Sequence, residues 1–219
     1  NHQMLTQFVA GELPGSLAIA VSIHIEMCPD CQELVQTLTQ NAANTSFEFE
    51  ENIELEENIE LEDSIENFNQ MFEHIVSDDQ VAHAPMQKQL HIKVKDQSFE
   101  LPQALHKVPM SDWLNLGKLS RSSLDLGEGK IHSHLLHIGA GGDVPCHTHK
   151  GFELTLLLDG SFEDEMGRYE KGDFIMLDSQ HNHQPKTEHG CLCYTVADDA
   201  LHFTQGIHRL FNPIGNLIY

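Results

Sequence analysis

The first 87 of the 219 residues contain no lysine or arginine. The same stretch carries 17 of the 34 Asp and Glu residues, which gives it a formal charge of -17. Residues 88–219 hold the other 17 acids and all 12 bases, so their charge is only -5. A strongly acidic surface repels phosphate backbones and attracts basic proteins. The composition therefore argues against direct nucleic-acid binding and favours a basic protein partner.

The sequence also has no apolar run near the roughly 20 residues that a membrane helix needs, and no basic-then-apolar signal peptide. Its five cysteines are an odd number, and Cys28 and Cys31 form a C-x-x-C pair. In a soluble chain this pair is typical of metal or redox chemistry rather than of a disulfide framework. We therefore expect a cytoplasmic protein without membrane association.

Residues 1–40 predict three helices. Met4, Leu5, Phe8 and Val9 recur at helical spacing before a Gly/Pro break. A second helix, from Leu17 to about Met27 with Ser16 as its cap, is apolar nearly all round and is expected to be buried. Pro29 suits the first turn of a third helix that reaches about Gln40.

The junction of the second and third helices carries metal-binding residue types. His24 and Cys28 are four residues apart, and Cys28 and Cys31 are three apart, so the three side chains can converge. Two thiolates and an imidazole make a zinc site that lacks one ligand, and His2 in the first helix is the candidate fourth.

Residues 41–64 are predicted to be an acidic insertion. The hexamer Glu-Asn-Ile-Glu-Leu-Glu occurs at 51–56 and again at 57–62, and residues 41–46 indicate a helix stop. This composition is typical of a solvated spacer. A fourth helix follows, with an apolar stripe at a spacing that is most often typical of core, and residues 81–90 are predicted to link it to the next domain. The stripe consists of Ile65, Phe68, Phe72, Ile75 and Val76.

From about His91 to Tyr219 the pattern changes to short strands, many of them separated by glycine-bearing turns such as Asp159-Gly160. Strands of this regular spacing predict a closed, double-sheet barrel. The predicted strands are 91–94, 113–116, 130–138, 153–158, 173–177 and 191–196.

Within this region His147 and His149 alternate, so in an extended strand they share one face and can bind one ion. Glu153 follows a short connection and can add a carboxylate oxygen. About thirty residues later the chain supplies a further histidine. His181 and His183 are both available there.

The spacing resembles the two cupin motifs, G-x5-H-x-H-x3-E-x6-G and G-x5-P-x-G-x2-H. The first is matched at every fixed position from Gly141 to Gly160. The second is matched at Gly172 and His183, while Asp178 and Gln180 replace its proline and glycine. By the register of this motif the fourth ligand is His183, with His181 as the fallback. The resemblance implies a double-stranded β-helix barrel with a divalent metal, for which we favour zinc.

Four other polar residues on strands have two interpretations each. His132 and His134 either face the barrel lumen or are ordinary satisfied or exposed histidines. Cys191 and Cys193 are either small core residues or an oxidisable pair.

The N-terminal residues resemble the zinc-binding anti-sigma domain, whose signature is a histidine followed by H-x3-C-x2-C. The stretch from Phe8 to Pro14, with His24-x3-Cys28-Pro29-x-Cys31 behind it, is similar to ChrR-type anti-sigma factors in particular. In that family the first histidine lies slightly further ahead of the glycine that corresponds to Gly11. The fourth ligand is therefore either His2 or a residue that precedes Asn1.

The joint resemblance implies an α+β multidomain chain. A zinc-binding helical anti-sigma domain occupies residues 1–80, a linker 81–90, and a cupin barrel 91–219. It also implies a regulator, not an enzyme, that sequesters a group IV (extracytoplasmic-function) sigma factor and releases it under singlet-oxygen or peroxide stress, with the cupin domain as the sensor. A homodimer through the cupin domain is a further expectation. The alternatives are a metal-dependent cupin enzyme, a dioxygenase or isomerase, and a dimeric metal-binding protein without catalysis.

Overall fold

The structure is a computed structural model that describes residues 2–48, 61–77, 89–199 and 201–203. Two compact units are present, one from Asn1–Gln40 together with Gln89–Tyr219 and the other from Asn41–Lys88. Four helices precede a region of strands, which confirms the predicted fold class. Most of the hexamer repeat, residues 81–88 of the predicted linker and the chain after Phe203 lie outside the described residues. Within the described segments, no helix combines the length and apolar character needed to cross a bilayer.

The helices are close to those predicted, with one clear difference. They are α1 (His2–Val9), α2 (Gly15–Met27), α3 (Pro29–Glu48) and α4 (Leu61–Val76). The prediction that the third helix ends near Gln40 is wrong, because α3 continues through the expected stop. Thr45 and Ser46 donate their hydroxyl protons to the carbonyls four residues earlier, each at 3.0 Å, so these polar side chains are satisfied inside the helix.

The N-terminus of α2 is held by the barrel rather than by its own serine. The helix begins at Gly15, so Ser16 lies within its first turn and makes no side-chain cap. Instead, the Ser16 backbone N–H donates to the Glu128 carboxylate at 3.2 Å, and the buried Tyr194 hydroxyl donates to the Ser16 carbonyl at 3.0 Å. The predicted Ser16 cap is therefore wrong; a carboxylate from 112 residues away interacts with the helix dipole in its place.

The strands form one main antiparallel sheet and two small ones. The main sheet has the order β3-β4-β5-β10-β7-β8, and β9 pairs with β7. Two-stranded sheets join β1 to β2 and β6 to β11. The bounds are β1 (Leu90–Val94), β2 (Gln97–Leu101), β3 (Leu114–Leu116), β4 (Leu119–Leu124), β5 (His132–Ile138), β6 (His147–His149), β7 (Glu153–Asp164), β8 (Gly167–Glu170), β9 (Phe174–Leu177), β10 (Cys191–Ala197) and β11 (Leu201–Phe203).

Strand β7 runs past the turn that was predicted at Asp159-Gly160. That prediction is wrong, because the register against β10 shifts there and the chain makes a β-bulge while the strand continues. Gly160 has φ +75°, and a Cβ at this position would lie 2.1 Å from the Gly190 carbonyl oxygen. The last glycine of the first cupin motif is therefore required by its left-handed backbone and by the close approach of the Gly190 carbonyl inside the strand.

The core is continuous from α2 into the barrel. Ala20 and Ile23 of α2 belong to the same buried cluster as Leu154 of β7 and Tyr194 of β10. Every residue of β10 is buried, so Cys191 and Cys193 are core residues in the centre of the main sheet. The first three helices thus use one wall of the barrel as their hydrophobic support.

Candidate metal centres

Four side chains from three separate segments meet inside the barrel. His147 and His149 alternate on β6, Glu153 begins β7, and His183 lies on the segment between β9 and β10. His147 and His183 exchange backbone hydrogen bonds, each at 3.1 Å, which places their side chains next to each other. Each of the four residues is at most 6% exposed, and their ligand atoms all lie within 4.8 Å of one another.

The four side chains point their ligand atoms at one common point. The Nε2 atom of His183 lies 2.9 Å from that of His147 and 3.3 Å from that of His149. The Glu153 Oε2 atom is 2.9 Å from His149 Nε2 and 3.8 Å from His183 Nε2. Three imidazoles and one carboxylate in this arrangement are a donor set for a divalent transition metal.

The outer hydrogen bonds orient the imidazoles. His147 Nδ1 donates to the Pro145 carbonyl at 2.8 Å, and His183 Nδ1 donates to the buried Asp164 carboxylate at 3.2 Å. When Nδ1 carries the proton, the neutral ring has a lone pair on Nε2. Two such lone pairs at 2.9 Å repel each other unless a cation lies between them. The tautomers that these contacts require therefore fit a metal ion.

The protonation states also suit a metal. Burial, with the neighbouring His183, lowers the pKa of His147 to about 4. Burial alone would raise the pKa of Glu153, but the hydrogen bond with His149 and the charges of the histidines bring this pKa to about 2. Near neutral pH His147 is therefore a neutral imidazole and Glu153 an ionised carboxylate, which are the forms that coordinate metals.

The other histidine candidates lie elsewhere. His181 turns outward, with its side chain 43% exposed and its Nδ1 2.8 Å from the Asp178 carboxylate, so the structure brings His183 and not the fallback into the cluster. His132 is exposed at the start of β5. His134 is buried and lines the barrel cavity, where burial and then the charge of Arg121 lower its pKa to about 3.

A second cluster lies at the junction of α2 and α3. The ligand atoms of His24, Cys28 and Cys31 lie within 4.8 Å of one another, and all three residues are half-buried. The His24 Nε2 atom is 3.3 Å from the Cys31 sulfur. Burial, and then hydrogen bonding with Cys28, raises the pKa of the Cys31 thiol. The helical spacing thus produces the convergence that was expected from it.

His2 does not join this group. It lies in α1, is exposed, and its Nδ1 atom is 3.4 Å from the Thr6 hydroxyl. Among the residues that the structure describes, the N-terminal cluster contains three ligand residues. His2 as the fourth ligand stays a prediction.

The outer partner of His24 comes from the barrel. Its Nδ1 donates to the Gly172 carbonyl, 148 residues away, at 2.8 Å, and its ring packs edge-on against Phe174 at 5.7 Å between centroids. This contact leaves Nε2 free of its proton and directed towards Cys31. No pattern in the sequence indicates it.

Two family models match the chain, the ChrR Cupin-like domain over residues 104–200 and a zinc-finger family over residues 2–32. Anti-sigma-E factor ChrR of Cereibacter sphaeroides is 26% identical over 215 residues, covering 96% of this chain and 93% of ChrR. The crystal structure of Rhodobacter sphaeroides SigE in complex with the anti-sigma ChrR contains a chain that is 27% identical. The match covers 90% of this chain and 97% of that chain, with a TM-score of 0.59. The chain is therefore similar to ChrR over nearly its whole length.

This similarity confirms the ChrR-type resemblance drawn from the motifs. An RmlC-like cupin protein from Ralstonia eutropha JMP134 matches 45% of this chain and 68% of its own, at 16% identity and a TM-score of 0.39. The ChrR protein that matches nearly the whole chain is a regulator, in agreement with the prediction that this chain is not an enzyme.

Sequence reasoning missed two residues near the barrel cluster. Asp164 holds His183 from outside, and Arg121 lines the cavity beside the cluster. Both lie on strands with mixed polar and apolar residues, and neither belongs to a cupin motif. Side chains alternate along β4, which places Arg121 on the same face as Leu119. This alternation is the one sequence signal that could have indicated its position.

Proposed function

We propose that this chain is a zinc-dependent anti-sigma factor. It sequesters a group IV sigma factor in the cytoplasm and releases it under oxidative stress, from singlet oxygen or peroxide, with the cupin domain as the sensing module. The observation that carries the proposal is the similarity to ChrR over 96% of the chain. The crystal structure of SigE in complex with ChrR supports a sigma factor as the partner.

In this proposal His24, Cys28 and Cys31 hold zinc, with His2 as the candidate fourth ligand. Bound zinc would cross-link the end of α2 to the first turn of α3. Structural zinc contributes directly to the folding of small helical domains. Loss or oxidation of the two thiolates would therefore loosen the helices that face the partner.

The surface proposed for the sigma factor includes one face of α4. Phe68, Phe72 and Ile75 recur at helical spacing on this helix and are 61%, 57% and 62% exposed. A contiguous apolar stripe of this kind is typical of an interaction surface. The first 87 residues carry a charge of -17, so a partner with a basic rim around an apolar groove would fit the stripe.

In the barrel, we propose that His147, His149, Glu153 and His183 hold a divalent metal, for which we favour zinc. When bound, the metal supplies a Lewis-acidic centre. The burial of the four residues suits a site that is reached by small molecules through the barrel. A homodimer through the cupin domain stays a prediction.

The deciding experiment is co-purification of the full chain with each group IV sigma factor of its own organism, with metal content measured. We expect a one-to-one complex for the wild type and for His147→Ala/His149→Ala, and none for Cys28→Ala/Cys31→Ala, which should also lose about one zinc. The barrel variant serves as the matched control for removal of a metal. The absence of a complex with any sigma factor would refute the proposal and direct attention to catalysis by the cupin domain.

A second experiment tests the surface of α4. Phe68→Ala/Phe72→Ala should weaken the complex by about 10-fold or more, because buried aromatic side chains dominate such interfaces. Gln70→Ala, on the opposite side of the same helix, should leave it unchanged. Equal affinity for the two variants would remove α4 from the interface and leave the zinc result untouched.

A further inference from the structure

The barrel encloses a cavity next to the four-residue cluster. Its volume is about 110 Å³. One water molecule needs only about 10–15 Å³ on a comparable measure, so this space is large enough for a small organic molecule. His147, Glu153 and His183 line one part of the wall, and a molecule in the cavity would therefore touch the candidate metal centre.

Aliphatic side chains are the largest group in the wall. This group combines side chains from β3, β4, β5 and the turn before β6, and none of these residues belongs to the candidate metal centre. They are Leu114, Leu116, Leu119, Leu136, Ile138 and Val144. Such a wall excludes strongly hydrated ligands such as phosphate or sugars, and favours a hydrocarbon chain.

The wall also contains polar residues outside the metal centre, among them Ser120, His134, Thr155 and Arg121. Arg121 is the one that carries a permanent positive charge. It lies on β4 opposite Leu136 of β5, and it is the only lysine or arginine among the described residues that line the cavity. Its Nη1 atom is shielded from solvent. A guanidinium group presents paired donors that match a carboxylate, and this interaction is stronger in a low-dielectric interior than at the surface.

We propose that the barrel lumen binds a small aliphatic monocarboxylate, with its carboxylate towards Arg121 and the four-residue cluster and its chain among the leucines. This inference rests on the proposed sensing role of the cupin domain and names the class of ligand for that site. The aliphatic side chains accommodate the chain of the ligand, and the Arg121 guanidinium pairs with its carboxylate. The thresholds for release of a sigma factor would then depend on occupancy of the lumen.

The test uses the full-length, zinc-loaded chain and isothermal titration calorimetry with two probes of equal chain length, hexanoate and 1-hexanol. We expect saturable binding of hexanoate to the wild type, reduced by about 10-fold or more in Arg121→Gln because a charge-assisted hydrogen-bonded pair is lost. Binding of hexanol should be the same in both proteins. Arg168→Gln, which removes an exposed arginine of β8 outside the cavity, should match the wild type.

Two further variants guard against misfolding. Arg121→Lys keeps the cation and should recover part of the hexanoate affinity. Leu136→Phe narrows the cavity and should weaken both probes, while far-UV circular dichroism stays unchanged. Absence of saturable hexanoate binding to the wild type, or equal hexanoate affinity in the wild type and Arg121→Gln, would overturn the proposal.

Formation of the sigma complex is measured separately, so the two proposals fail independently. An intact sigma complex without hexanoate binding would overturn the ligand and leave the anti-sigma function. Hexanoate binding that depends on Arg121 in a chain that forms no sigma complex would support the ligand and refute the anti-sigma function.

Discussion

The two clusters of metal-binding residues differ in chemistry and in what holds them. The barrel cluster has three imidazoles and a carboxylate, each at most 6% exposed, whereas the N-terminal cluster has two thiols and one imidazole, all half-buried. In the barrel, the outer hydrogen bonds of His147 and His183 go to Pro145 and Asp164 of the same barrel. In the N-terminal cluster, the outer bond of His24 goes to Gly172 of the barrel.

This difference suggests that the two clusters have different roles. Buried nitrogen and oxygen ligands on strands resist oxidation and keep their geometry. Half-buried thiols at a helix junction are accessible to oxidants, and their geometry depends on contacts with a second region. The barrel is therefore suited to hold a metal against competition, and the helix junction is suited to lose one.

The largest expected effect is a difference in reactivity between the thiols of the N-terminal cluster and those of β10. Without this difference, the contrast between the two regions would not hold. In the metal-free chain, Cys28 and Cys31 should react with iodoacetamide on the order of 100-fold faster than Cys191 and Cys193, because core thiols react only after local opening. Hydrogen bonding with Cys191, and then burial, also raises the pKa of Cys193, which reduces its thiolate fraction.

Peptide mass spectrometry after timed alkylation measures all four rates in one sample. In concentrated urea the rates should become similar, which is the control for intrinsic reactivity. Added zinc should slow Cys28 and Cys31 alone. Equal rates in the folded chain would contradict the assignment of an accessible and an inaccessible pair.

The outer partner of His183 provides the next test. Asp164→Asn keeps the shape of the side chain but removes its charge, and should lower metal affinity at the barrel by about 10- to 100-fold. Competition with a chelator measures this, with Glu163→Gln, an exposed neighbour on β7, as the control. An Asp164→Asn chain that holds its barrel metal as tightly as the control would exclude a role for this carboxylate.

A smaller effect is expected at Gly172, whose carbonyl accepts the hydrogen bond from His24 and so connects the barrel to the N-terminal cluster. Gly172 has φ +93°, and an added Cβ would lie 3.4 Å from the Met27 Cβ, so Gly172→Ala should displace the carbonyl that His24 uses. We expect zinc to leave the N-terminal cluster about 10-fold faster. This is the low end of the range for changes to a group that orients a metal ligand through a hydrogen bond.

A colorimetric zinc indicator follows this release. Gly117→Ala, at φ +60° with nothing within 4 Å of the added Cβ, controls for backbone strain alone. Identical release from the two variants would show that the barrel turn does not support His24.

The smallest expected effect concerns a histidine that is buried but belongs to neither metal-binding cluster. His137 is buried in β5 outside both clusters, its Nε2 is 2.8 Å from the Gln97 side-chain oxygen, and burial, with a smaller effect of Lys95, lowers its pKa. The unfolded chain therefore binds more protons than the folded one. The stability that neutral His137 contributes is complete above its ordinary pKa of about 6.5 and declines as the pH falls.

His137→Gln should reduce the slope of unfolding free energy against pH between about pH 7 and 5, by at most about 1.4 kcal/mol per pH unit. Urea unfolding at several pH values measures the slope. His91→Gln, at an exposed position of β1, should leave it unchanged. An unchanged slope in His137→Gln would mean that this histidine titrates alike in the folded and unfolded chains.

Much of the two clusters could be predicted because their spacing is local. His147 and His149 share a strand face, and His24, Cys28 and Cys31 follow helical spacing, so backbone geometry alone brings these side chains near one another. His183 was selected over His181 from the motif register, and the structure places it in the cluster. The apolar α2 was likewise expected to be buried, and it is.

The contacts that join distant segments could not be predicted. Glu128 on Ser16, Gly172 on His24 and Asp164 on His183 connect residues 112, 148 and 19 positions apart. The extension of α3 depends on local hydrogen bonds and the bulge in β7 depends on β10, and the apolar pattern encodes neither. Residue identities and periodicity suffice to predict the ligand types and their grouping, because strand and helix periodicity are properties of the backbone. The distant group that holds each ligand is chosen by tertiary packing, because packing brings together segments that are far apart in the chain.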